Sequence, residues 1–155
     1  SAYQSFLWNL SSEQILLQHV KKTFKVKGKI MDYTFYEDLD EAALKKLKNT
    51  QIPTVSYKIP GNPEVVRIVK DILAQRGLKA SDFNLTKIRK SFFKSFLRPA
   101  IVFPTWDPTP GPFDYDEDLF EPDDLYPGFL KLHLNFTLPS GSFATILIKA
   151  IQGGA

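Results

Sequence analysis

Carboxylates are the most concentrated groups in this sequence that could carry acid–base chemistry. Two carboxylates at a suitable separation can act as general acid and general base in a hydrolysis. The stretch between Pro99 and Pro127, however, also holds seven of the eleven prolines. Because clustered acids on a proline-rich segment usually form a solvated face, we favour a long, irregular acidic loop over an independent hydrolase. The acids concerned are Asp114, Asp116, Glu117, Asp118, Glu121, Asp123 and Asp124.

Metal and thiol chemistry find little support in the composition. The chain has no cysteine, which excludes disulfides and thiolate ligands. Its two histidines, His19 and His133, are far apart and form no pair with ligand spacing. We therefore predict no metal site and assign neither histidine a role.

Positive charge is unevenly distributed along the chain. Residues 1–98 hold 18 Lys and Arg against nine Asp and Glu, a net charge of +9, whereas residues 99–155 hold two against eight, a net charge of −6. A basic region of this size favours a polyanionic partner, because neutralised phosphates release counterions. The alternative is that these lysines only solvate helix faces. The candidate phosphate contacts, which alternate with phenylalanines, are Lys87, Arg89, Lys90, Lys94 and Arg98.

The elements that must position these groups follow from hydrophobic periodicity and caps. Apolar spacing predicts helices over 2–22, 38–48, 63–76 and from Ser81 or Asp82 to about 98. Residues 24–30 suggest a short strand pair or a lysine-rich turn, and 98–103 a strand. Strict alternation predicts a further strand over 130–138, after which Ser140 or Ser142 can cap a final helix. Because few strands are available to form a sheet, we interpret the chain as a fragment.

Since no apolar stretch reaches the length of about 18 residues that a membrane span needs, we expect an intracellular, cytoplasmic protein.

Three segments together resemble one enzyme family in order and spacing. They are AYQSFLWN at residues 2–9, FLRPA at residues 96–100, and LNFTLPSGSFAT at residues 134–145. These resemble the start of the insertion domain, its return strand and the closing motif of the TruD family of tRNA pseudouridine synthases. The sequence departs from the family at Lys149 and Ala150, where Arg-Glu is usual.

The resemblance implies an α+β fold with two parts. Residues 1–97 would form a mostly helical insertion domain, and residues 98–155 the return strand, acidic loop and strand–helix unit of a pseudouridine-synthase-type catalytic domain. It implies isomerisation of uridine to pseudouridine in RNA without a cofactor, with tRNA as the partner. The family's catalytic aspartate is the last residue of a Gly-x-Lys-Asp motif. The pair Lys70-Asp71 lacks the glycine of this motif and lies in an amphipathic segment. We therefore predict a structural role for Asp71. The catalyst would then lie in an N-terminal part outside these 155 residues.

The resemblance also suggests site residues within the chain. Phe143 would stack on the target base, with packing into the core as the alternative. Gly141 and Ser142 precede a helix and could bind a phosphate. A non-catalytic RNA-binding or protein-interaction module is the competing hypothesis for the chain. An apolar 130–138 face without its neighbours would also favour a homodimer of the chain.

Overall fold

The computed structural model describes residues 1–85, 93–107 and 120–153. Over these residues helices are combined with short antiparallel strand pairs, which confirms the predicted α+β class. Contacts divide the chain into one unit of residues 1–101 and 145–155 and a second unit of residues 102–144. The predicted domain division at residue 97 concerns a complete enzyme and stays a prediction.

The first helix, α1, spans Ala2–His19. Ser1 caps it: the Ser1 hydroxyl accepts from the Gln4 amide, and the Gln4 side chain accepts from the N-terminal amine at 2.8 Å. The buried face of α1 includes two polar residues, Gln4 and Ser11, among the apolar ones. The helix agrees with the one predicted over residues 2–22 and ends three residues earlier, at His19.

Helix α3, Pro63–Gln75, packs against α1 and contributes five buried residues to the core. Asn62 caps it and Pro63 occupies its first turn, as predicted. Gly77, at a φ of 68°, ends it: the Leu78 amide donates to the Leu73 carbonyl and the Gly77 amide to the Ala74 carbonyl. Helix α2, Glu41–Lys48, is capped by Asp40. The core residues that are at most 2% exposed are Leu7, Ile15, Leu47, Ile52, Val55, Val69 and Leu73.

The strands Thr23–Val26 (β1) and Tyr33–Tyr36 (β2) form an antiparallel hairpin. The predicted range 24–30 thus covers most of β1 and part of the turn, whereas the second strand lies beyond it. Lys25 pairs with Thr34, and both face Glu13 of α1. On the opposite face the Phe24 and Phe35 rings lie 5.5 Å apart. The hairpin is therefore held by polar contacts on one face and aromatic contacts on the other.

The strands Gln51–Pro53 (β3) and Leu97–Pro99 (β4) form the second pair of this unit. Two predictions are corrected here. Residues 80–83 form a single 3-10 turn, and residues 93–96 are not helical, so the described parts do not support a continuous helix to residue 98. The predicted strand 98–103 is shifted towards the N-terminus, because residues 97–99 pair with β3 while 101–104 are irregular.

The second unit contains two short strand pairs that the sequence did not predict. Thr105–Trp106 (β5) pairs with Phe136–Thr137 (β8), and Phe120–Pro122 (β6) pairs with Leu130–Leu132 (β7). The predicted strand 130–138 is thus two strands with different partners. Its alternation holds in the burial from Leu132 onwards, since Leu134 and Phe136 are half-buried whereas Asn135 is exposed. It fails at the start, where Leu130 is exposed and Lys131 is half-buried.

The described C-terminal end of the proline-rich segment is not an irregular loop, although residues 101–104 at its other end are irregular. Asp123 accepts hydrogen bonds from the Leu125 and Tyr126 amides, which closes the turn between β6 and β7. Lys131 pairs with Asp124 at 2.5 Å and with Glu121 at 3.9 Å. These acids therefore stabilise a hairpin. Asp114, Asp116, Glu117 and Asp118 lie outside the described residues.

The last helix, α4, spans Ala144–Gly153. The residue directly before it is Phe143, so the helix begins later than the predicted caps at Ser140 or Ser142. Among the described residues, no helix combines the length and apolar character needed to cross a bilayer.

Candidate nucleic-acid interface

Residues 93–99 bring together the described members of the predicted phosphate-binding set. Thr54, which is 3% exposed, binds this segment through both its own backbone and its side-chain hydroxyl. The Thr54 amide donates to the Phe96 carbonyl at 2.8 Å, and the Phe96 amide donates to the Thr54 hydroxyl at 2.9 Å. The Ser95 hydroxyl donates to the Thr54 carbonyl at 2.6 Å. The segment is therefore fixed by its backbone, which leaves its long side chains free to face solvent.

Lys94 and Phe96 are neighbouring exposed side chains on this segment. The Lys94 ammonium lies 5.4 Å from the centre of the Phe96 ring, within the range of a cation–π contact. Phe96 is 53% exposed and therefore lies outside the core. Phe93, by contrast, is half-buried and packs on Phe83 with ring centres 5.2 Å apart.

Arg98 is half-buried beside the first helix. Its guanidinium carbon lies 6.0 Å from the centre of the Trp8 ring. The Trp8 indole N–H donates to the Ile52 carbonyl at 3.1 Å, and Ile52 pairs with Arg98 across β3 and β4. Trp8 is thus oriented by the strand pair that carries the arginine. Lys87, Arg89 and Lys90 lie outside the described residues, so their placement is not part of this geometry.

Phe143 stands between a tight turn and the start of α4. The turn is closed by the Ser142 amide, which donates to the Pro139 carbonyl at 3.1 Å. Gly141 has a φ of 85°, a backbone conformation that favours glycine. Phe143 is 58% exposed, so the alternative that it packs into the core is not what the structure has. Its stacking on a base stays a prediction.

The remaining titratable groups show no catalytic constellation over the described residues. Asp71 is exposed on α3, and the structural role predicted for it stays a prediction. His133 lies 3.9 Å from Glu121 on the surface of the second unit. His19 lines a cleft of about 290 Å³ together with Lys46, Glu64 and ten other residues, none of them predicted to be functional. No group of three or more potential ligands is placed to hold a metal in the part of the chain that the structure describes.

Glu13 is the carboxylate whose surroundings most clearly alter its titration. Partial burial raises its pKa, but this is outweighed by hydrogen bonds from Thr34 at 2.5 Å and from Lys25, and by the charge of Lys25 at 3.0 Å. The pKa of Glu13 is therefore lower than its ordinary value. Burial of Tyr36 on the same hairpin raises the pKa of its phenol. Glu13 and Tyr36 both contribute to the contacts between the hairpin and the residues around it.

Sequence reasoning gave no role to Gln4, which links the first helix to the interface. Its side-chain amide donates to the Val55 carbonyl at 2.6 Å and to the Lys94 carbonyl at 3.2 Å. A signal was present, because Gln4 shares a helical face with Leu7 and Ser11 and is 6% exposed. A polar residue on a buried helix face needs a hydrogen-bond partner, and here the partners lie on two distant segments.

Comparison with known proteins defines the family. The chain matches the family described as "TruD: tRNA pseudouridine synthase D (TruD)" over residues 1–151. It belongs to the TruD family. It is 32% identical to "Probable tRNA pseudouridine synthase D 1" of Methanococcus maripaludis, over 97% of this chain and 37% of the relative. It is 30% identical to "Probable tRNA pseudouridine synthase D 2" of Methanocaldococcus jannaschii, over 96% of this chain and 34% of the relative.

A bacterial relative matches a similar portion. "tRNA pseudouridine synthase D" of Aquifex aeolicus is 28% identical over 97% of this chain and 35% of its own length. The chain therefore spans about a third of the length of the curated relatives that it matches. No solved structure matches it.

Proposed function

We propose that this chain is the RNA-facing part of a tRNA pseudouridine synthase, an enzyme that converts uridine to pseudouridine. The observation that carries the proposal is the family match over residues 1–151. The relatives' names, which specify tRNA pseudouridine synthases, support the reaction and the class of substrate. The exposed cation and aromatic at Lys94 and Phe96 support a contribution to RNA binding.

The catalytic aspartate is proposed to lie in sequence outside these 155 residues. This is supported by the lack of a Gly-x-Lys-Asp motif in the chain and by the exposed helical position of Asp71. The match to about a third of each relative leaves room for such a residue elsewhere in the parent protein. On this proposal the chain alone binds RNA without turnover.

Phe143 is proposed to stack on the target uridine after that base leaves its own stack. Its exposure and its position directly before α4 support this role, since the ring can accept a base without repacking a core. A base stacked on an aromatic side chain contributes about 1–3 kcal/mol. Gly141 and Ser142 are proposed to lie near the adjoining phosphate, because the α4 N-terminus offers unpaired amide groups.

The phosphate backbone is proposed to contact Lys94 and Arg98, together with Lys87, Arg89 and Lys90 from the sequence. The Thr54 contacts support this role for the described pair, because they fix the backbone from which Lys94 and Arg98 extend. Phosphate contacts set position and affinity rather than sequence preference. We therefore expect binding that weakens steeply with salt.

The competing hypothesis is a non-catalytic interaction module, and one observation favours a protein partner for the second unit. Four apolar side chains near the β6–β7 turn are 64% to 80% exposed: Leu125, Tyr126, Phe129 and Leu130. Such a patch suits a protein contact, either with the rest of the parent enzyme or with a second copy. The predicted homodimer stays a prediction that sedimentation at several concentrations would test.

The first experiment compares wild type, Phe143→Ala and Phe129→Ala for binding to an in vitro transcribed tRNA across a salt series. Phe129 is 69% exposed and serves as a matched aromatic control. We expect Phe143→Ala to weaken binding by about fivefold or more, because a stacked base is lost, and Phe129→Ala to have little effect. Equal effects of the two variants would remove Phe143 from the site.

A pseudouridine assay on the same samples tests the location of the catalyst. We expect no product from the chain alone, since it lacks the Gly-x-Lys-Asp motif. Product formed by these 155 residues would overturn the proposal that the aspartate lies elsewhere.

A further inference from the structure

The β1–β2 hairpin carries a dense group of lysines outside the predicted phosphate-binding set. Residues 21–29 contain five lysines, and all are exposed: Lys21, Lys22, Lys25, Lys27 and Lys29. We propose that this lysine hairpin, residues 21–36, is a second RNA-contact surface that binds backbone phosphates. The inference rests on the proposed function, because that function supplies RNA as the partner.

Among the residues that the structure describes, most of this charge is not neutralised by ion pairs. Glu13 pairs with Lys25 at 3.0 Å, and Lys25 remains 61% exposed. The other four lysines make no ion pair with any described acidic residue. Unpaired ammonium groups this close in sequence repel one another, so a bound polyanion relieves that repulsion as well as releasing its own counterions. Lysine, a flexible point charge, suits phosphates more than base edges.

The turn that presents Lys27 and Lys29 is closely packed at Gly28. Gly28 lies between them, and a Cβ at this position would come within 2.3 Å of the Met31 carbonyl oxygen and 2.6 Å of the Tyr33 ring. Any side chain at Gly28 would therefore force the turn to move.

Helix α4 supports the same turn and adds a cation to it. The Lys149 ammonium donates to the Lys27 carbonyl at 3.2 Å. At the end of α4, Gly153 lies against Phe24 and Val26, where a Cβ would come within 2.2 Å of Val26. This gives a structural role to Lys149, one of the two positions that depart from the usual Arg-Glu of the family. The turn is thus held by the helix that follows the predicted base-stacking residue.

The test compares two double variants that each remove two positive charges. Lys27→Gln with Lys29→Gln alters the hairpin, and Lys45→Gln with Lys70→Gln removes exposed lysines from α2 and α3. Binding to an in vitro transcribed tRNA is measured by fluorescence anisotropy from about 0.05 M to 1 M salt. Loss of two phosphate contacts should reduce the slope of log K against log salt by about 1.4. The hairpin variant should then bind tRNA about 25-fold more weakly than wild type at 0.1 M salt, and the two affinities should converge near 1 M salt.

The outcomes separate this inference from the proposed function. If the wild-type chain binds tRNA and the hairpin variant behaves like the α2–α3 control, the lysine hairpin is not an RNA contact, while the proposed function stands. If the wild-type chain does not bind tRNA at any salt concentration, both proposals fail. Circular dichroism of each variant establishes that exposed Lys→Gln changes leave the fold intact. The inference is supported if the folded hairpin variant, but not the α2–α3 control, has a lower slope of log K against log salt than wild type.

Discussion

The guanidinium carbon of Arg98 lies 6.0 Å from the centre of the Trp8 ring, although 90 positions separate the two residues in sequence. The Trp8 indole also donates to the Ile52 carbonyl, on the strand that pairs with Arg98. Two of the segments that carry the family resemblance, residues 2–9 and 96–100, therefore meet. The first helix supports the strand from which a predicted RNA contact extends.

Gln4 provides a second link between these segments, and its removal should cost stability. In Gln4→Leu the Val55 and Lys94 carbonyls lose their donor, and one of them is deeply buried. We expect the free energy of unfolding to fall by about 1–3 kcal/mol, the cost of leaving a buried acceptor unpaired. Urea unfolding followed by circular dichroism measures the change.

Gln14→Leu is the matched control for this prediction, because Gln14 is exposed on the same helix. Its free energy of unfolding should change by less than about 0.5 kcal/mol. Equal losses in the two variants would mean that the Gln4 hydrogen bonds do not stabilise the protein.

The elements predicted well from the sequence are those whose determinants are local. Asn62, Pro63 and Gly77 fix the ends of α3 through a cap, a preset φ and a positive φ, and all three can be identified without knowledge of the fold. The helix predicted after Ser81 was wrong in its described parts. Residues 93–96 have the apolar content of a helix, but the Phe96 amide and carbonyl bond to Thr54, about 40 positions away, and the Lys94 carbonyl accepts from Gln4.

The candidate site was predicted only in part, for the same reason. Lys94 and Arg98 could be chosen from charge alone, whereas the exposure of Phe96 depends on a strand pairing that no local pattern encodes. The interruption of the 130–138 strand has a similar origin, because two different partners, β5 and β6, take its two ends. Long-range pairing is the information that periodicity does not contain.

Glu13 should make the stability of the hairpin depend on pH. Its pKa is lower in the folded protein than its ordinary value of 4.5, so its contribution is present above that value and is lost as pH falls through the lower, folded value. Wild type should be more stable than Glu13→Gln at neutral pH. The difference should shrink as the pH is lowered below about 4.5. Urea unfolding of both proteins between pH 7 and pH 3 measures this dependence.

Glu37→Gln is the control for the pH experiment, since Glu37 is an exposed carboxylate that directly follows β2. The stability difference between this variant and wild type should stay small over the same range. A Glu13→Gln difference that is constant with pH would show that the Thr34 and Lys25 contacts do not favour the ionised carboxylate.

Arg98 should contribute to RNA affinity through its charge and be held in place by Trp8. Arg98→Gln removes one phosphate contact, so the slope of log K against log salt should fall by about 0.7, equivalent to binding about fivefold weaker at 0.1 M salt. Arg98→Lys retains the charge and should restore most of the slope, but not the planar contact with the indole. Arg67→Gln, which changes an exposed arginine on α3, is the matched control in the same anisotropy titration with transcribed tRNA. If Arg98→Gln and Arg67→Gln lower the slope equally, the charge at Arg98 acts only as part of the general positive field of residues 1–98, and its position beside Trp8 serves stability alone.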